Sequence, residues 1–406
     1  MCGARPWGCR GDDWGKGLSP SRRRECTARR RGPVPGVPVR VAVDAHAVAQ
    51  PTPGDAGNAR WIKNLIHALV ATAGPDDSVL AMIAHDQARE RIDPAVHLVE
   101  VTDRNVPRLL RGAPRVMERA RADIGVFNYV VPFRGRTPSA VVVHDAAFVS
   151  NPGWFSRRDR EMLGRLVPRA INKADVVIGV SHAEAAEITE IFRLDPAKVH
   201  VVRTYPAPVF TPDPVGDAPS RVFARFGLKR YVLAVGDIHP RKNIGALAQA
   251  MALIGERDLE LALVGRPALG GEQIVRGAKA HWLGHITDEQ LADLYRAAAV
   301  VCVPSLYEGF GLPILEAMAC GAPVVASNRG AMPEIAGEGA LTTDPTPNAL
   351  ALVIREALDP TQAERLGAAG VAQAAGFSES VMGEAAWRAL KPGGRARAAA
   401  SVPLSP

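Results

Sequence analysis

Between residues 204 and 219, prolines stand at positions 206, 208, 212, 214 and 219. No helix or strand interior tolerates that density, because each proline fixes φ and removes a backbone donor. The segment reads as a linker, and the same pattern runs on both sides of it. Before it, short apolar runs at 39–43, 79–83, 96–101, 124–127, 140–143, 176–180 and 199–202 read as buried strands. Helical stretches lie between them, as at 58–71, where Trp61, Leu65, Ile66 and Leu69 share one face. After it, candidate strands recur at 231–235, 259–264, 299–303 and 323–326, with helices at 288–298 and 313–320. Strands alternating with helices predict an α/β fold of two Rossmann-like, doubly wound parallel-sheet domains facing across a cleft. A cleft between such halves is a common place for a ligand.

The charge is unevenly placed along this division. The 406 residues carry 49 Lys and Arg against 42 Asp and Glu, a net of +7. Residues 1–38 hold +6 of it and 391–406 a further +3, leaving a body of −2. A slightly acidic body with 5% aromatic residues argues against a nucleic-acid partner. The two ends read as a disordered basic extension (1–38) and a disordered tail (391–406). The extension lacks the apolar core of a secretory signal. Cys302 and Cys320, the cysteines of the body, fit neither a CxxC pair nor a usual zinc site. A cytoplasmic location is the expectation. No apolar run approaches the roughly 18 residues of a membrane-spanning helix.

Four segments carry candidate chemistry. Residues 305–318 leave a strand, turn through Gly309 and Gly311 and enter a helix with Pro313 at its first position. Free N–H groups there suit a phosphate or a sugar hydroxyl, and Glu308 and Glu316 fall in loop and helix respectively; an ordinary strand–turn–helix with two solvated acids explains the segment alone equally well. Residues 235–243 follow another strand and place Gly236, Arg241, Lys242 and Asn243 before a helix. Two adjacent cations there suit a diphosphate, whose charge they can neutralise as it leaves; a solvated basic pair near a helix start explains them equally well. His144 and Asp145 end a strand of the first half, where they could position a hydroxyl or assist proton transfer; a structural hydrogen bond explains such a pair equally well. The loop with Gly54, Gly57 and Asn58 precedes the first helix, and its glycines allow close approach of a ligand.

Taken together and in this order, these segments resemble the retaining GT-B glycosyltransferases of the large family-4 (group 1) type, over about 44–390. Glu308 to Glu316 is similar to that family's Glu-x7-Glu signature. The 236–243 segment resembles its phosphate segment, and 284–295 the loop and helix beside the nucleobase. The resemblance implies that Arg241 and Lys242 bind the diphosphate of a nucleotide sugar and that Glu316 bonds the ribose hydroxyls. It implies that Glu308 and the backbone of Gly309, Phe310, Gly311 and Leu312 hold the donor sugar, with His285 and Ile286 near the base. His144 would reach the sugar from the first domain. Gly54, Gly57, Asn58 and Asp145 would face phosphates and acceptor. No metal and no further cofactor are implied.

The implied organisation is an acceptor-side domain (39–203), the linker (204–219), a nucleotide-sugar domain (220–376) and a final helix (377–390) packing back on the first domain. Segments around 123–132, 142–145, 152–156 and 174–181 resemble a subgroup that includes bacterial mannosyltransferases building surface polysaccharides. GDP-mannose as donor and a glycan or lipid-linked acceptor follow from that subgroup. Two departures stand out: residues 203–207 replace the family's usual Asn-Gly-Val-Asp, and Glu379 replaces a common Trp. Arg104, Arg108, Arg111, Arg115 and Arg119 would form one basic stripe on a helix. It is a solvated face or a contact with anionic membrane at the inner leaflet. A nucleotide-sugar epimerase or a non-catalytic sugar-nucleotide-binding protein would share the fold. A dinucleotide oxidoreductase would need glycine where Ile314 stands.

Overall fold

The computed structural model describes residues 38–48, 56–237, 239–266 and 280–391. The basic extension up to residue 37, the tail from 392 and Gly54 lie outside the described residues. The first half builds a seven-stranded sheet from β1 (Arg40–Asp44), β2 (Ser78–Ile83), β3 (His97–Glu100), β4 (Ile124–Asn128), β5 (Ser139–Val143), β6 (Val176–Gly179) and β7 (Val199–Val201). Their order is β3-β2-β1-β4-β5-β6-β7, and every pairing is parallel. The second half builds six strands: β8 (Tyr231–Val235), β9 (Glu260–Val264), β10 (Ala280–Gly284), β11 (Val300–Val303), β12 (Val324–Ser327) and β13 (Leu341–Thr343). Their order is β10-β9-β8-β11-β12-β13, again all parallel. Strands such as β5 and β11 are buried along their whole length. Helices cover both faces of a parallel sheet, so its inner strands are apolar without alternation.

Five helices position the cleft: α1 (Ala56–Ala71), α2 (His182–Phe192), α3 (Asp288–Ala297), α4 (Leu312–Ala319) and α5 (Glu379–Leu390). Ser181 caps α2 by accepting from the amide of Glu184, and Thr287 with Gln290 closes a capping box on α3. Gly311, at φ +100, is the N-cap of α4, so Pro313 is its second residue rather than its first. Both positions tolerate a missing N–H. Helix α5 returns to the first half: the Trp387 indole donates to the carbonyl of Leu69 (3.1 Å). Gly383 makes the approach close, since a Cβ there would lie 2.4 Å from the carbonyl of Ala68.

Two expectations change here. Pro219 is the second residue of a helix, Ala218–Phe226, so the irregular linker ends at Asp217. The arginine stripe is broken. Residues 105–119 are helical with a π turn at Arg108–Gly112, and Arg108 is 3% exposed, ion-paired with buried Asp44 at 3.3 Å. Arg104, Arg111, Arg115 and Arg119 stay exposed, so the stripe keeps four of its five members at the surface and loses Arg108 to the interior. Among the described residues no helix is long and apolar enough to cross one.

The two departures from the family pattern meet. The Tyr205 hydroxyl donates to Glu379 Oε1 (3.0 Å), and Arg203 lies over the Phe377 ring at 4.9 Å. The two segments through which the chain passes between domains are thus tied to each other.

Candidate functional site

In each sheet the strand order reverses between two neighbours, β1 and β4 in the first and β8 and β11 in the second. Chains leaving the carboxyl ends of such strands diverge and open a crevice. The segment after β8 carries Gly236, Arg241 and Lys242, and the segment after β11 carries Ser305 and Glu308. They meet in one ionic cluster. Glu308 Oε1 accepts from Lys242 Nζ (2.6 Å) and Ser305 Oγ (2.7 Å), and Oε2 from the Arg241 guanidinium (3.2 Å). The carboxylate is 7% exposed. Burial alone would raise its pKa, but Lys242 and Arg241 outweigh it and hold the group down at about 2.

Local backbone explains these residue types. Gly236 has φ +132, and a Cβ there would lie 2.9 Å from Lys242 Cε, so glycine clears the path of the lysine. Pro240–Lys242 form a short 3-10 turn capped by His239, whose Nδ1 accepts from the Arg241 amide (3.2 Å). Asn243, at φ +54, anchors the turn by donating to the carbonyls of Pro304 (3.1 Å) and Pro345 (2.7 Å).

Glu316 lies one turn into α4 and is 3% exposed. Its Oε2 accepts from the Tyr295 hydroxyl (3.2 Å) and its Oε1 from the guanidinium of Arg60, a residue of α1 in the other domain. The second arm of Arg60 reaches Asp288 Oδ1 (2.6 Å). Burial raises the Glu316 pKa, with Arg60 opposing and Asp288 reinforcing. His285 and Ile286 follow β10 at this end; His285 is exposed and Ile286 packs on the core.

The first domain closes against this surface. His144 follows β5, and its Nε2–H donates to Asn128 Oδ1 (2.8 Å) at the end of β4. Trp61 and Tyr129 flank the ring. Burial depresses its pKa to about 3, so it is a neutral imidazole suited to a hydroxyl and not an acid at neutral pH. Asp145 caps the turn after it, bonding the Ala147 amide (3.2 Å), and burial raises its pKa.

Gly309 presses on this strand end: a Cβ there would lie 1.8 Å from the His144 carbonyl oxygen. Its own carbonyl accepts from Ser181 Oγ (2.7 Å). Tyr307 places one hydroxyl between Glu184 Oε2 (2.6 Å) and Glu187 Oε2 (2.7 Å) of α2. Glu334 receives the Ala183 amide (3.0 Å), and His239 Nε2–H donates to the Trp154 carbonyl (3.0 Å).

The structure therefore brings together Gly236, Arg241, Lys242, Glu308, Gly309, His144 and Asp145. Gly311 and Leu312 start α4 beside them, while the Phe310 side chain turns inward against Phe377 (6.1 Å) and leaves only its backbone to the cleft. Gly57 and Asn58 fall inside the first turn of α1 rather than in the loop before it, because the helix starts two residues earlier than periodicity indicated. Sequence reasoning assigned no role to Arg60, Asn128, Ser305, Glu184 or Tyr307. Arg60, Ser305 and Tyr307 lie within or beside the quoted motifs, whereas nothing local marks Glu184 or Asn128.

Comparison with known proteins bears on the family and the fold. Residues 229–359 match the family model described as glycosyl transferases group 1, and 56–204 match that of glycosyltransferase family 4. The O-antigen chain mannosyltransferase B of Escherichia coli is 31% identical over 264 residues, 62% of this chain and 69% of the relative. The MMP alpha-(1->4)-mannosyltransferase of Mycolicibacterium hassiacum is 35% identical over 212 residues, about half of each chain (49% and 49%). Among solved structures, Anabaena Alr3699/HepE in complex with UDP and glucose superposes with a TM-score of 0.64 at 18% identity, covering 86% of this chain and 98% of that one. At that identity the likeness speaks for the fold, two facing parallel-sheet domains of GT-B type.

Proposed function

The chain belongs to the group 1 glycosyltransferases, and on that premise we propose that it moves mannose from GDP-mannose, with retention, to a hydroxyl of a glycan or lipid-linked acceptor. The observation that carries the reading is the Arg241–Lys242–Glu308–Ser305 cluster at the β8/β11 switch point. In the reaction the bond from the sugar's anomeric carbon to the diphosphate oxygen breaks, and its electron pair leaves with the phosphate. Arg241 and Lys242 neutralise that charge as it develops. A hydroxyl of the acceptor forms the new bond on the same face and gives its proton to the departing phosphate oxygen.

The environment of Glu308 supports this over a covalent route. Both its oxygens are committed to Lys242, Ser305 and Arg241, so it orders cations rather than attacking a sugar. His144, neutral and anchored through Asn128, offers its Nδ1 to a sugar hydroxyl. The mannosyl preference follows the two mannosyltransferase relatives. Positioning and charge stabilisation then supply most of the rate.

A thermal-shift panel of GDP, UDP, ADP and their sugar conjugates tests the reading. Selective stabilisation by the guanosine compounds is expected, about 2.7 kcal/mol at a hundredfold excess over Kd, and its loss in Lys242→Ala. Stabilisation by none of them would sink the proposal; stabilisation by the uridine set would move the donor. The anomeric configuration of the product, read by NMR, decides retention.

A further inference from the structure

The motifs account for Glu316 but not for what holds it, and that partner comes from the opposite domain. Arg60 sits in the first turns of α1, its guanidinium over the Phe210 ring at 5.7 Å, one arm on Glu316 and the other on Asp288. Phe210 in turn packs edge-on against Tyr295 (5.8 Å), whose hydroxyl takes the other oxygen of Glu316. The carboxylate is thus gripped once on each oxygen, by groups whose own orientations are set by rings.

A carboxylate offers about four lone-pair positions, two on each oxygen. Arg60 uses one on Oε1 and Tyr295 one on Oε2. What remains is one acceptor position per oxygen, about 2.2 Å apart as the oxygens of a carboxylate are, which is the pattern two adjacent hydroxyls can fill. We propose that Arg60 is a positioning residue for the donor: reaching across the cleft, it fixes Glu316 as a paired acceptor for the 2′,3′-diol of the donor's ribose. Recognition of the ribose by the second domain then depends on docking of the first. This rests on the reading of Glu316 given above.

The charges around Glu316 give Arg60 a second task. Asp288 and the buried Tyr295 and Cys320 face the same carboxylate, and of the groups acting on it Arg60 is the cation. Burial and Asp288 push Glu316 toward its protonated form, and Arg60 opposes them. A protonated Glu316 would spend one of its positions as a donor and no longer match the diol.

The experiment is calorimetric titration of the full chain with GDP and UDP, each beside its 2′,3′-dideoxy counterpart. The wild type should prefer the ribonucleotide by about tenfold or more, the worth of hydrogen bonds to a charged group. Arg60→Met should erase that preference while leaving dideoxy binding within about twofold, and Arg60→Lys should restore part of it. Raising the pH should return some preference to Arg60→Met, as Glu316 ionises without its cation. An equal loss for both nucleotides, or an intact preference, would overturn the proposal. Glu316→Ala separates the two levels. If it removes the preference and Arg60→Met does not, Glu316 keeps its role and Arg60 loses its own. If the wild type shows no preference and Glu316→Ala changes nothing, the reading of Glu316 fails and the role of Arg60 with it.

Discussion

Glu308 and Glu316 belong to one loop-and-helix segment and are buried to nearly the same degree, yet their surroundings drive them apart. Glu308 faces Lys242 and Arg241, both from its own domain, and is held near pKa 2. Glu316 shares one cation, Arg60, with Asp288, that cation belongs to the other domain, and its pKa is raised. The Lys242–Arg241–Glu308 cluster is therefore assembled within the second domain, and the Glu316 end, the proposed ribose site, is completed only by contact between domains. A third carboxylate extends the series: Glu184, 2% exposed among Asp145, Glu187 and Tyr307, is pushed up to about 9. At similar burial, two cations hold the carboxylate down, whereas one shared cation or none leaves burial to raise it.

The sharpest way to break the contrast is to remove the self-contained end. Glu308→Ala and Lys242→Ala should each lower kcat by about a thousandfold or more, as losing a preorganised charge partner does. Both domains should still fold, because the cluster lies in loops after β8 and β11 and not in the sheet. Near-wild-type turnover in either, with circular dichroism unchanged, would refute the assignment.

Next in size is Gly309→Ala, aimed at the contact between domains. The new methyl would meet the backbone oxygen of His144, which cannot rotate away, so the loop must withdraw from the first domain. A displacement of about 1 Å at such a site costs on the order of a hundredfold in rate. The Lys242–Glu308 pair should survive, so nucleoside diphosphate binding through the phosphates should fall far less than kcat. Equal losses in both would mean that the two ends of the cleft are not separable in this way.

How far the sequence anticipates this division follows from the range of each signal. The clustering of Arg241, Lys242 and Glu308 was legible because these residues and their glycines sit in two short segments, each directly after an apolar strand. The doubly wound fold was legible because inner parallel strands are continuous apolar runs. The edge strand β10, with exposed His281 and a half-covered remainder, and the three-residue β13 offered no such run and were not anticipated. Arg60 stood within a motif already noted, but its partners are 228 and 256 residues away, a separation no local pattern encodes. Arg108 shows the converse: periodicity placed it on a basic stripe, and only the tertiary pairing with Asp44 reveals that it points inward.

Glu184 gives the smallest and most specific test, because its charge state rests on a proton. Its carboxylate and that of Glu187 both lie within hydrogen-bond reach of the single Tyr307 hydroxyl. One hydroxyl donates only one bond, so the three-group contact is satisfied only when one carboxyl is protonated. The groups facing Glu184 are Asp145, Glu187, Tyr129 and Tyr307, all acidic or phenolic. The folded pKa of about 9 exceeds the ordinary 4.5, so across that interval the folded state holds a proton that the unfolded chain has released. Stability from this group is therefore complete below about pH 4.5 and lost as pH rises toward 9, with a limiting slope of about 1.4 kcal/mol per pH unit. Glu184→Gln keeps the shape and removes the proton equilibrium. Its melting temperature should fall less than that of the wild type between pH 6 and 9, and the two curves should diverge most at the alkaline end. Parallel curves would mean that Glu184 is ionised in the folded protein and that the contact of Tyr307 with α2 does not depend on a shared proton.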